Sequence, residues 1–146
     1  MYKDVATLFN RKPGSRGQGD LWYPTVLRNV NLNADRAAIM AKYGTESTDN
    51  AMLMVRYQRI GDEIFVEGKP WANPKEWDQT EDSLTFTSGT AFDFFWEGEW
   101  LGGIASDSDY GDEGFYNYMN RTKDHVFAIT SVAKLSLLPH FEIMGK

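Results

Sequence analysis

The sequence predicts an all-β fold: a small β-barrel or sandwich with an N-terminal arm, a long acidic loop and one or two short helices. Three observations predict it. Several runs alternate apolar and polar side chains with the period of two that a half-buried strand requires. β-Branched and aromatic residues concentrate in those runs, and turn chemistry separates them at short intervals. With 146 residues the chain has room for one domain and one core.

Taken in order, Asp4 to Arg11 places Val5, Leu8 and Phe9 at helix-like spacing behind Asp4 as a cap, which predicts a helical turn or two. Pro13 to Asp20 holds Gly14, Gly17 and Gly19, so residues 1–20 are expected to form a flexible N-terminal arm and residues 21–146 the single β-domain. Leu21 to Leu32 carries Trp22, Val26, Val30 and Leu32 on one parity and is expected to be a long strand, with Pro24 at an edge or bulge. Residues 34–42 fit either a helix or a continued strand. Ala51, Leu53, Val55 and Tyr57 alternate with Met52, Met54, Arg56 and Gln58, a clear strand. Short strands are expected at Ile64–Val66 and Ser83–Thr87, then a strand or turn over Ala91–Leu101 and an exposed loop over 102–114. Glu113 to Arg121 fits a short helix with Phe115, Tyr118 and Met119 on one side, and Val126–Leu135 and His140–Met144 close the chain as strands. The inward set is expected to include Trp22, Val26, Val30, Leu53, Val55, Tyr57, Phe127, Ile129, Phe141 and Ile143, because a slip of one residue would turn a strand's whole set outward.

Composition narrows the function. There is no cysteine, which removes thiol catalysis, thiolate zinc sites and iron–sulfur ligation. The residues after Met1 lack the apolar stretch of a signal peptide and no run of 18 or more apolar residues occurs, so no membrane partner is expected. Fifteen basic against twenty-one acidic residues give a net charge of −6, but the distribution is uneven: residues 61–115 hold two basic and fourteen acidic side chains. An acidic centre of that density argues against a reader of duplex DNA and is consistent with a surface that repels phosphates.

No catalytic, cofactor-binding or metal-ligating constellation emerges, and no enzymatic activity is expected. Asp107, Asp109 and Asp112 resemble the opening of a calcium loop, but the register places Asp112 where the turn glycine belongs and Tyr118 where a bidentate Glu belongs. Glu97 and Glu99 on one strand permit a glycosidase-like spacing that any acidic strand would offer. His125 and His140 lack ligand spacing, and the glycines of residues 14–19 lack the lysine of a phosphate loop.

The segments Leu8-Phe9-Asn10-Arg11, Leu21 to Asn31, Pro74 to Trp77, Val126 to Val132 and Leu138 to Ile143 resemble small proteins of tailed phages of Gram-positive bacteria whose genes lie between the major capsid and tail genes. The resemblance implies a virion neck component of the head-closure (stopper) type, made in the host cytoplasm. Such a protein is a small β-barrel that forms a homo-oligomeric, hexameric ring between the portal and adaptor above and the tail terminator or tail tube below. It would contact packaged DNA in the channel without sequence specificity. On that reading Asp107, Asp109, Asp112 and Glu113 sit on a mobile loop facing the channel, and Arg11, Lys12 and Arg16 pair the arm with an acidic neighbouring subunit. The alternatives are a tail terminator or other connector ring and, in a different class, a carbohydrate-binding β-sandwich using Trp71, Trp77, Trp96 and Trp100.

Overall fold

The structure is a computed structural model that describes residues 2–15 and 18–146. Its strands are β1 (Asp4–Lys12), β2 (Leu21–Asn33), β3 (Ala51–Arg56), β4 (Gln58–Ile60), β5 (Glu63–Val66), β6 (Lys69–Trp71), β7 (Phe94–Glu97), β8 (Ala105–Ser106), β9 (Val126–Leu135) and β10 (His140–Gly145). Two helices, α1 (Arg36–Tyr43) and α2 (Gly114–Thr122), complete it, with 3-10 turns at Trp77–Gln79 and Asp107–Tyr110. Six strands run in the order β1-β7-β9-β10-β3-β2, and β2 pairs back onto β1, so the sheet closes into a barrel. Every pairing between these strands is antiparallel.

The barrel interior is a packed core rather than a passage. Ala6 and Leu8 of β1, Leu27 and Val30 of β2, Leu53 and Val55 of β3, Phe127 and Ile129 of β9, and Phe141 and Ile143 of β10 fill it. Sheet β4-β5-β6 and the segment after it add Ile64, Val66, Leu84 and Phe86 to the same cluster. Nine of the ten expected core residues are buried. Val26 is the exception: it is half-buried, and Leu27 points inward instead.

The cause is a bulge. Asp4 pairs with Val30 but Ala6 with Leu27, so β2 carries one extra residue there, and Asn29 takes φ 55 to absorb it. The bulge reverses the parity of β2, which places Trp22 on the outer side and Val30 inside. Pro24 lies within Tyr23–Val30, a stretch that has a strand partner on the β1 side only.

Two further expectations are corrected. Residues 4–12 form no helical turn and no arm; they are a strand with barrel neighbours on both sides, and Pro13–Asp20 is the connection of the β1–β2 hairpin. Ala6 to Asn10 are all buried, so β1 is covered on both faces and does not alternate. Without alternation, a short apolar run in a doubly buried strand matches helical spacing as well as any. Ser83–Thr87 is no strand either: Leu84 makes only an isolated bridge to Trp71.

Residues 34–42, open between helix and strand, form α1. Asp35 caps it by accepting from the Ala37 and Ala38 amides at 2.9 and 3.4 Å, and Gly44 at φ 99 ends it. Its Ile39 packs on Met52 and Met144, on the outer side of β3 and β10.

Candidate functional site

The acidic, aromatic stretch from residue 91 onward builds a second core on the outside of the wall. Phe9, Trp22, Phe94 and Val126 project outward from β1, β2, β7 and β9 and meet Ala105, Phe115 and Met119, with Trp96, Trp100, Tyr110 and Tyr116 at the margin. Phe9 stacks on Phe94 at 4.8 Å between ring centres, and Phe115 meets Phe9 at 5.1 Å and Trp100 at 5.2 Å edge-on.

Asp107 locks this layer. Its Oδ1 accepts from Trp22 Nε1 at 2.7 Å and from the Phe115 amide at 2.9 Å, and its Oδ2 accepts from the Asp20 amide at 3.1 Å. No side chain of the preceding residue caps α2, so Asp107 satisfies a first-turn N–H from a distance. The expectation of an uninterrupted exposed loop over 102–114 is therefore corrected: β8 pairs with β2, and Asp107 ties the segment to both the hairpin and α2. Glu113 is held by Arg121 through a two-point contact at 2.8 and 3.1 Å, and that guanidinium lowers its pKa. Asp109 and Asp112 remain exposed.

Two of the basic residues assigned to the arm, Arg11 and Lys12, are engaged within the chain. The Arg11 guanidinium lies 4.5 Å from the ring centres of both Trp22 and Phe92 and 3.6 Å from Asp20. Lys12 pairs with Asp78 at 2.8 Å, and that hydrogen bond raises its pKa. Arg16 lies outside the described residues.

A second sunk carboxylate, Asp93, lies immediately before β7 and is buried. It accepts from Asn10 Nδ2 at 2.8 Å, from the Arg11 amide at 2.8 Å and from the Thr87 amide at 2.9 Å. Burial pushes its pKa from 3.8 up to about 6, against the pull of those donors. Sequence reasoning did not single it out; only the charge in an otherwise aromatic run, Phe92-Asp93-Phe94-Phe95, marks it.

Much of the remaining acidity lies elsewhere on the surface. Asp62, Glu63, Glu76, Glu81 and Asp82 are exposed on and around the β4–β6 sheet, where Asp62, Glu63 and Glu76 line one shallow depression. Glu97 faces His125 at 3.3 Å and Glu99 pairs with Arg28, so the two carboxylates serve different partners. Trp71 packs on Phe141, and Trp96 and Trp100 border the outer core, so these rings are committed to packing. Among the described residues no group of three or more His, Asp or Glu is arranged to hold a metal ion.

Two apolar tips stand out from this acidic surface. Leu137 and Leu138, at the turn of the β9–β10 hairpin, are 87% and 82% exposed, and Leu101 and Ile104, after β7, are 87% and 56% exposed. Soluble monomers expose single leucines routinely, but paired apolar tips on loops are a feature of contact surfaces.

These features define a small closed β-barrel with a packed interior, a second aromatic core outside the wall, and charged and apolar surfaces. The chain belongs to a protein family described as a family of unknown function (DUF6751), whose model matches residues 1–146. No curated protein and no solved structure matches it.

Proposed function

We propose that this protein is a structural component of a tailed-phage neck, a head-closure ring between the portal and adaptor and the tail. The observation that carries the reading is the surface of a filled barrel: apolar tips at Leu101/Ile104 and Leu137/Leu138 for contact with other chains, beside exposed acidic side chains, Glu81 and Asp82 lining the same depression as Ile104. It joins the resemblance of residues 8–11, 21–31, 74–77, 126–132 and 138–143 to phage neck proteins.

Because each barrel is filled, a ring of such barrels would carry DNA through the space between copies. Carboxylates lining that space would repel phosphates, and symmetry would multiply their potential. Asp109 and Asp112 keep this role in the proposal; Asp107 and Glu113 lose it, since internal partners hold them.

The test is neutralisation. Particles assembled with Asp109→Asn and Asp112→Asn together, and separately with Glu76→Gln, Glu81→Gln and Asp82→Asn, are assayed for DNA retention and ejection. Slowed ejection, or DNA held in the neck, in either set supports the reading. Normal particles in both sets would leave these acids as ordinary solvated surface.

A further inference from the structure

We propose that His140 is a proton-operated latch on the apolar tip of the β9–β10 hairpin, holding the Leu137–Leu138 turn while the imidazole is charged and releasing it when the imidazole is neutral. The latch belongs to the chain alone and does not depend on the neck reading.

Both nitrogens of the ring face acceptors. Nδ1 lies 2.6 Å from the Leu138 carbonyl, and Nε2 lies 3.2 Å from Glu142 Oε2. A carbonyl oxygen only accepts, and so does an ionised carboxylate. Glu142 is kept ionised: burial works against its charge, but the donors His140, Tyr43 and Lys42 together hold its pKa below the ordinary carboxylate value. The two bonds therefore require a proton on each nitrogen, which only the imidazolium carries. The pair is sheltered, with 16% and 17% of the two side chains exposed, so water is a poor substitute for a lost bond.

The turn needs holding. Leu138 has φ 54, a left-handed backbone that a leucine adopts only under strain, and it precedes Pro139, whose ring favours an extended residue before it. His140 is the one donor to the Leu138 carbonyl among the described residues. The stems on either side have other anchors: Tyr57 Oη donates to the Leu135 carbonyl at 2.8 Å, and the Tyr57 amide to the Pro139 carbonyl at 3.3 Å. Loss of the His140 bond thus frees residues 136–138 while β9 and β10 stay paired.

A neutral ring keeps one proton, and its surroundings decide where. Glu142 carries a full charge, so a proton on Nε2 makes the stronger bond and Nδ1 gives up the Leu138 carbonyl. From α1, Lys42 Nζ lies 3.4 Å from Glu142 Oε2 and Tyr43 Oη 3.1 Å from Oε1. On β3, Arg56 stands opposite His140, its guanidinium 4.0 Å from the centre of the Tyr2 ring; on β9 the opposite residue is Leu135. Tyr57 and Glu67 line the same cleft as His140, with Arg28 beside Glu67. Burial raises the Tyr43 pKa, and Tyr43 and Glu142 raise that of Lys42 against the pull of burial, so both move away from neutral pH. The charge that changes between pH 5 and 8 is then that of the imidazole. Because the charged ring makes both bonds, their stabilisation is present at low pH and lost as pH rises through the titration of the ring.

Nuclear magnetic resonance of the full chain, labelled with 15N, tests the latch between pH 5 and pH 8 in the wild type and in His140→Gln. At pH 5 both ring nitrogens are expected to carry protons and the amides of residues 136–138 to be as rigid as those of β9, with order parameters of about 0.85. At pH 8 the ring is expected to keep its proton on Nε2 and the same amides to fall below about 0.6. In His140→Gln the tip is expected to show no such dependence on pH. A tip equally ordered at both pH values, a ring that keeps its proton on Nδ1 at pH 8, or a pH response that survives in His140→Gln would overturn the proposal. The first two readings need only the wild type.

Discussion

Along β1 the inward side chains Ala6 and Leu8 meet one core and the outward Phe9 meets another, and the two cores are built differently. The inner one draws on almost every strand and is closed by the barrel itself. The outer one is a cluster of rings covered by a single excursion of the chain, residues 98–123, and pinned by one carboxylate, Asp107. The difference teaches that the C-terminal part of the acidic stretch, from Glu99 to Glu113, belongs to a structural cover over the barrel wall, with its charges either held by internal partners or turned to solvent.

The largest effect expected from breaking this arrangement is loss of a central ring. Phe141→Ala in the inner core and Phe115→Ala in the outer core should each cost about 3–5 kcal/mol, measured by urea denaturation. If the excursion is only a loose flap, Phe115→Ala will cost well under 1 kcal/mol while Phe141→Ala keeps its full effect.

The inner core was legible in the sequence because Leu53, Val55, Ile129 and Ile143 lie on strands whose other face is less apolar or solvated, which gives period-2 alternation. The outer core was not. Strand β1 and Phe94-Phe95 are apolar on both faces, so periodicity carries no direction there. The bulge at Asn29, which swaps Val26 for Leu27, has no marker beyond an asparagine. The loop acids were read as one exposed set because sequence shows charge but not partners: Asp107 meets Trp22 across 85 positions and Phe115 across eight. Asp93 was hidden in the same way, its donors Asn10 and Arg11 lying 83 and 82 positions away.

Next in size is the lock on the outer core. Asp107→Ala would strand the Trp22 indole N–H and the Phe115 amide, at a cost of about 2–3 kcal/mol. Hydrogen exchange should rise over residues 105–122 and stay low in β3 and β10. Equal loosening of both cores would show that the outer layer is no separate unit.

A smaller, graded effect is expected from Asp93. Folding raises its pKa, so the folded chain holds this proton more tightly than the unfolded one. Its contribution to stability is therefore full below about pH 4 and is lost as pH rises through about 6, to a total of about 2–3 kcal/mol. Asp93→Asn should flatten that part of the stability profile, whatever it does to the absolute value. An unchanged slope would assign the pH dependence to other groups.

The account stands most directly on where the protein resides in an assembled particle. Cryo-electron microscopy of tailed particles produced by a host carrying this gene is expected to show a ring at the head–tail junction into which copies of the six-stranded barrel fit, each barrel closed and the DNA path between copies. A junction built without this chain, or the chain absent from the particles altogether, would contradict it.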